Sequence, residues 1–136
     1  MVAHYRDIKV GSQLLTLTKI AYQRALDEVA FLEDSSHRDE YTKSKGYAGA
    51  LLSGYILCGY ISHFLVNFFG LEWLQGGEVS LSFVKAVHQG DEVTIGGTVV
   101  EMIENNEGIR LNLDIWMEKN EGIKVIVGQA NGILKA

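Results

Sequence analysis

The stretch from Tyr47 to Phe69, YAGALLSGYILCGYISHFLVNFF, contains no Asp, Glu, Lys or Arg, and the charge-free window around it runs from Gly46 to Leu71. A helix that crosses a bilayer needs about 20 predominantly apolar residues, so length alone allows a membrane span. A helix that is apolar all round is surrounded either by lipid or by protein. The choice turns on whether the rest of the chain supplies a surface to surround it.

It does. Beyond Phe69 the hydrophobic period changes to two, the mark of strands with one buried face. EVSLSFV alternates Val79, Leu81 and Phe83 with Ser80 and Ser82, and EVTIGGTVVEMI continues as a long strand after the turn HQGD. IRLNLDIWM sets Ile109, Leu111, Leu113 and Ile115 against Arg110, Asn112 and Asp114, and IKVIVGQANGIL closes the chain. NNEG (Asn105 to Gly108) and KNEG (Lys119 to Gly122) read as hairpin turns with glycine where positive φ is needed. The C-terminal half is therefore expected to form an antiparallel meander whose apolar face needs a cover. The uncharged segment is expected to be that cover, a buried central helix, with Tyr47, Tyr55, Tyr60, Phe64, Phe68 and Phe69 in the core. Gly49, Gly54, Gly59, Ser53, Ser62, His63 and Asn67 also suit a lipid-facing span poorly. His63 and Asn67 are expected to be polar groups satisfied in or beside the core.

Two further elements precede this segment. QLLTLTKI, from Gln13, alternates Leu15 and Leu17 with Thr16 and Thr18 as a half-buried strand. AYQRALDEVAFLED spaces Tyr22, Leu26, Val29 and Leu32 as one face of a short amphipathic helix, with Arg24, Asp27 and Glu28 outward.

The formal net charge of -5 and the absence of a basic patch argue against a nucleic-acid partner. Cys58 stands alone, so no intrachain disulfide forms, and no Cys/His spacing suits a metal. Met1 is followed directly by VAHYRDIKV, with neither the basic start nor the apolar run of a secretory signal, which gives a cytoplasmic expectation. A length of 136 residues suits one domain, 1–136.

Two motifs resemble the MaoC-like hydratases and dehydratases, a family that includes the (R)-specific enoyl-CoA hydratases. HRDEYTKSKGYAGALLSGYILCGYIS is similar to the family segment in which a catalytic His precedes a central helix that opens near His-Gly-Met. LSFVKAVHQGDEVTIGGTVVEM is similar to its strand, turn and strand built on Phe-x-x-Pro-Val-x-x-Gly-Asp. The resemblance implies an α+β hot dog fold, a long antiparallel β-sheet around a central apolar helix. It also implies interconversion of trans-2-enoyl and (R)-3-hydroxyacyl thioesters, carried on coenzyme A or acyl carrier protein, with no metal or other cofactor. A homodimer or higher homo-oligomer with joined sheets is expected, since single sheets leave edges that proteins cover or pair.

Carried over by position, His37 matches the family's catalytic His and Asp34 its Asp. Gly54 matches the backbone donor that polarises the thioester carbonyl, and Ser62 a helix serine that orients the acid/base group. Tyr47 and Tyr55 flank the substrate end as candidate tunnel residues. Independently of the family, Gly54, Cys58 and Ser62 recur at i, i+4 and i+8, a small-residue track on one helix face. This chain departs from the family in EDSSH, where Asp34 stands only three residues before His37. It also departs in Ser53-Gly54-Tyr55 for His-Gly-Met, and in Ala50 and Ala86, which stand where the family usually has proline. Two alternatives remain open: an acyl-thioester hydrolase using Asp34 or Glu33 to activate water, and a non-catalytic acyl-thioester-binding protein. His88, in the turn, reads as an exposed residue.

Overall fold

The computed structural model describes residues 7–22 and 51–135. The helix expected over 21–34 lies, past Tyr22, outside these residues, as do Asp34, His37 and Tyr47. Strand β1 (Leu17–Ile20) comes first, followed by helix α1 (Gly54–Phe69) and a single turn, α2 (Trp73–Gly76). Strands β2 (Glu78–Phe83), β3 (Glu92–Asn105), β4 (Gly108–Lys119) and β5 (Ile123–Leu134) complete one antiparallel sheet in the order β1-β3-β4-β5-β2.

The three long strands form the expected meander. Asn105 Oδ1 accepts from the N–H groups of Glu107 and Gly108, closing the first hairpin, and Gly108 adopts φ +145°. A side chain at Gly108 would also meet Leu134 O at 2.5 Å, so both conformation and space require glycine. In the second hairpin positive φ falls on Asn120 and Glu121 as well as on Gly122.

Strand β2 departs from the meander. It pairs with β5, Phe83 opposite Ile126 and Glu78 opposite Asn131, and so sits at the far edge from β3. The turn before β3 is a crossover because the free edge of β3 is taken by β1, Leu17 opposite Ile95. Residues 84–91 meanwhile pass beneath the start of α1, where Leu52 N–H donates to Val87 O at 2.8 Å.

Alternation predicts burial well in the middle of the sheet. Leu111, Leu113, Ile115 and Met117 of β4 are all 2% exposed or less. On α1, Leu57, Ile61, Phe64, Leu65, Phe68 and Phe69 are buried against that face. Each such side chain contributes roughly 1.5–3 kcal/mol when removed from water. Phe69 stacks on Trp73 at 5.4 Å, and both rings press on Gly132, where a Cβ would come within 3.2 Å of each.

At the edges the same alternation misleads. Val79 and Phe83 of β2 point to the inner side of the sheet, yet are 44% and 48% exposed because they lie on an edge strand, which α1 borders with its first turn at Phe83. Near β1, Leu14 rather than Leu15 is buried: Leu14 N–H donates to Gly97 O at 2.9 Å, and Leu15 is 65% exposed. Regular pairing starts at Leu17, which packs on the core opposite Ile95 as expected, so the slip of phase lies between Leu14 and Leu17.

Among the described residues, helix α1 is covered on one side only. Tyr55, expected in the core, is 87% exposed. Cys58, Gly59, Ser62, His63 and Asn67 are exposed beside it, so His63 and Asn67 are not core polar groups. The sheet is open rather than wrapped, and residues three and four apart on a helix share one face, here the one turned away from the sheet. With 16 residues, α1 is not long and apolar enough to cross a membrane, nor is any other described helix.

Gly59 sits mid-helix with nothing among the described residues within 4 Å of where a Cβ would project. Gly59→Ala is therefore expected to raise stability by about 0.5–1 kcal/mol, read as a higher urea midpoint at unchanged slope.

On the other flank of α1, the Tyr60 hydroxyl donates to Tyr22 O at 3.1 Å, and Tyr22 N–H donates back to it at 3.2 Å. Lys19 Nζ lies 5.2 Å from the Tyr60 ring centroid. The chain thus departs the sheet from a point held by the helix at Tyr60, and returns at a point held by Val87.

Candidate active site

Helix α1 starts where the backbone turns from extended to helical at Ser53 (φ −69°, ψ 147°), whose hydroxyl accepts from Ile56 N–H at 3.4 Å. Ser53 O accepts from Ile56 and Leu57. Among the described residues no acceptor is assigned to the N–H groups of Gly54 and Tyr55. The first N–H groups of a helix have no partner within it, and its dipole places partial positive charge there. No acidic residue occupies the first turn of α1 to offset that charge.

An open cleft of about 400 Å³ lies directly ahead of these donors. Leu52, Gly54 and Leu57 form one wall, and Phe83, Lys85 and Ala86 the other. A Cβ placed on Gly54 would meet the Phe83 ring at 3.4 Å, ordinary contact, and Gly54 is not at positive φ. Packing therefore does not demand glycine here. What glycine gives is access to the backbone from the cleft.

Ser62 is exposed two turns further along, with Cys58 between, so the structure places the small-residue track of Gly54, Cys58 and Ser62 on the uncovered side of the helix. Tyr55 adjoins the track and points into solvent. Of the two edge strands, β2 lies on the Gly54 side, since Phe83 ends that strand. Among the described residues no group of three or more His, Cys, Asp or Glu side chains is placed to hold a metal ion.

His88 is half-buried rather than exposed. Its N–H donates to Asp91 Oδ2 at 2.8 Å, its Nδ1 lies 3.8 Å from that oxygen, and its buried Nε2 has no hydrogen-bond partner. Lys119 Nζ reaches the same carboxylate at 3.8 Å and donates to Ala86 O at 2.8 Å. These bonds stiffen the crossover that forms the cleft's second wall. Phe83 and the crossover were not legible as site residues, because only the nonlocal β2–β5 pairing brings them to Gly54.

No protein-family model matches the chain, and no curated protein matches it significantly. Solved structures do. The R-hydratase PhaJ1 of Pseudomonas aeruginosa superposes with a TM-score of 0.73 at 19% identity, over 96% of this chain and 84% of that one. The (R)-hydratase from A. caviae involved in PHA biosynthesis gives 0.68 at 21%, over 93% and 96%. The MaoC-like dehydratase from Rhodospirillum rubrum gives 0.72 at 18%, over 96% of both. At such identities the likeness is one of fold. With its five-stranded antiparallel sheet packed on one central helix, the chain has the hot dog fold of the MaoC-like dehydratases and (R)-hydratases.

Proposed function

We propose that the protein is a hydratase/dehydratase interconverting trans-2-enoyl and (R)-3-hydroxyacyl thioesters. The observation that carries this reading is the open cleft at the N-terminus of α1, where the Gly54 and Tyr55 N–H groups have no acceptor among the described residues, on a fold whose solved examples include (R)-hydratases. In hydration, water oxygen bonds to C3 of the enoyl group, a base takes the water proton, and an acid delivers a proton to C2. The electron pair passes through the thioester carbonyl, so negative charge develops on its oxygen. Donors fixed at that oxygen lower the barrier because they need no reorganisation. Gly54 and Tyr55 N–H supply them, His37 and Asp34 handle the protons, and Ser62 orients that pair. No metal or redox group takes part in this scheme.

The working unit in this reading is a homodimer. Among the described residues no strand lies beside the outer edge of β2, and the inner-side Val79 and Phe83 are exposed along it. Exposed edges and contiguous apolar surface are what partners cover. A second copy paired antiparallel at β2 covers both and brings the two Gly54 clefts toward the joint.

The test is incubation with crotonyl-CoA and a longer enoyl-CoA, following enoyl absorbance and free thiol together. Loss of enoyl absorbance without thiol is expected. Thiol release would replace the lyase by an acyl-thioester hydrolase, the reading that the EDSSH spacing keeps in view, and neither signal would leave a binding protein.

A further inference from the structure

At the far end of α1 from the Gly54 cleft, the chain leaves the helix at Gly70 and enters β2 through α2 and Gly77. A hollow of about 190 Å³ opens there between α2, the tip of the β3–β4 hairpin and the end of β5. With 16 residues at about 1.5 Å each, α1 separates it from Gly54 by roughly 24 Å. Trp73 and Ile133 give it apolar surface, and Glu72, Glu107 and Lys135 give it charge. Trp73 is 7% exposed, stacked on Phe69 and pressed on the backbone of Gly77, where a Cβ would come within 2.1 Å of the ring. The core therefore holds this wall in place. A cavity of about 150 Å³ with apolar walls admits a benzene-sized molecule, so the hollow suits a single ring or a short branched chain.

The rim says what that molecule carries. Lys135 Nζ is paired with Glu72 Oε1 at 3.3 Å, whereas among the described residues no basic group lies within ion-pair distance of Glu107. One negative charge is left over. The carbonyl end of α1, just before Glu72 in the chain, adds partial negative charge, and no basic residue in its last turn offsets it. Gly76, which also lines the hollow, has neither positive φ nor any described atom within 4 Å of where a Cβ would stand. Neither backbone nor packing asks for glycine there; its missing side chain keeps the hollow open.

We infer that this hollow binds a small primary amine, its apolar body against Trp73 and Ile133 and its ammonium at Glu107. The amine is either a simple alkylamine or a free amino acid, whose carboxylate meets Lys135. The site is separate from the Gly54 cleft and takes no part in the hydration scheme.

Calorimetric titration of the full chain with cyclohexylamine, cyclohexanol and leucine tests this. Cyclohexylamine is expected to bind with a Kd of about 0.1–1 mM. Cyclohexanol, of the same shape without the charge, is expected to bind about two- to fivefold more weakly, with a smaller gap at high salt. Glu107→Gln is expected to close that gap by weakening the amine alone. Gly76→Leu, which fills the hollow, is expected to weaken all binding about tenfold or more at an unchanged urea midpoint without ligand. If Gly76→Leu fails to fold, Glu107→Gln, at an exposed position, reads the site by itself. Leucine binding as tightly as cyclohexylamine identifies an amino acid as the source, and weaker binding a simple amine; both support the site. Equal binding of amine and alcohol by the parent protein, no binding of any of the three, or binding indifferent to both substitutions overturns the inference.

Discussion

Gly54→Ala is expected to lower kcat/KM for an enoyl thioester by about 10²–10³-fold while leaving the protein folded. The added methyl meets only the edge of the Phe83 ring at 3.4 Å, and the φ at Gly54 is one that alanine adopts freely. Alanine is also the better helix former, by up to about 1 kcal/mol. Stability should hold or rise, so any loss of rate reflects the methyl standing where the carbonyl must approach. Misplacing a reacting group by about 1 Å costs on the order of 10²-fold, and losing one oxyanion donor costs about 10²–10³-fold. His37→Ala belongs in the same series, with an expected loss of about 10²–10⁴-fold from removal of acid/base catalysis. A Gly54→Ala enzyme of full activity would remove the helix start from the mechanism. One of full activity lacking His37 would remove only the proton relay assigned here.

Phe64→Ala is expected to destabilise the protein by about 3–5 kcal/mol, against a total that is about 5–15 kcal/mol for folded domains. Phe64 is 2% exposed and its ring lies over Gly97 of β3, 3.6 Å from where a Cβ would stand. That glycine lets the ring settle onto the strand, so truncation leaves a hole that Ile115 and the Gly97 backbone cannot close. Urea denaturation of the variant should give a much lower midpoint. Val79→Ala is the contrast, because Val79 is already 44% exposed and its loss should cost less than 1 kcal/mol in the isolated chain. A cost below 1 kcal/mol for Phe64→Ala would mean that α1 is not seated on the sheet through this ring.

The contrast between these two positions also explains what was legible in the sequence. Strands β2 and β4 have the same apolar alternation, and it marks one face in both. Burial depends in addition on place in the sheet: Leu111 and Leu113 lie under α1, whereas Val79 and Phe83 lie on an edge strand and stay half-exposed even though the Phe83 ring borders Gly54. Pairing order is nonlocal, so nothing within EVSLSFV distinguishes a hairpin with β3 from a crossing to β5. The absence of charge in α1 indicated a helix against the sheet but overstated its burial, because Tyr55, Cys58 and Gly59 are uncharged and still face outward. At the site, the spacing of Gly54 and Ser62 was readable because helix geometry is local. The approach of Phe83, Lys85 and Ala86 was not, since strand pairing creates it. Asp34, His37 and Tyr47 lie outside the described residues and rest on the family resemblance.

The two points where the chain leaves the sheet and rejoins it bear on how such a protein diversifies. One is a tyrosine hydroxyl gripping the peptide of Tyr22, the other a ladder bond from Leu52 to Val87. Since closing a longer connection costs little extra entropy, a segment of another length can be spliced between these two points. Swapping it between relatives of this architecture, with both moorings kept, should transplant reactivity without rebuilding the scaffold.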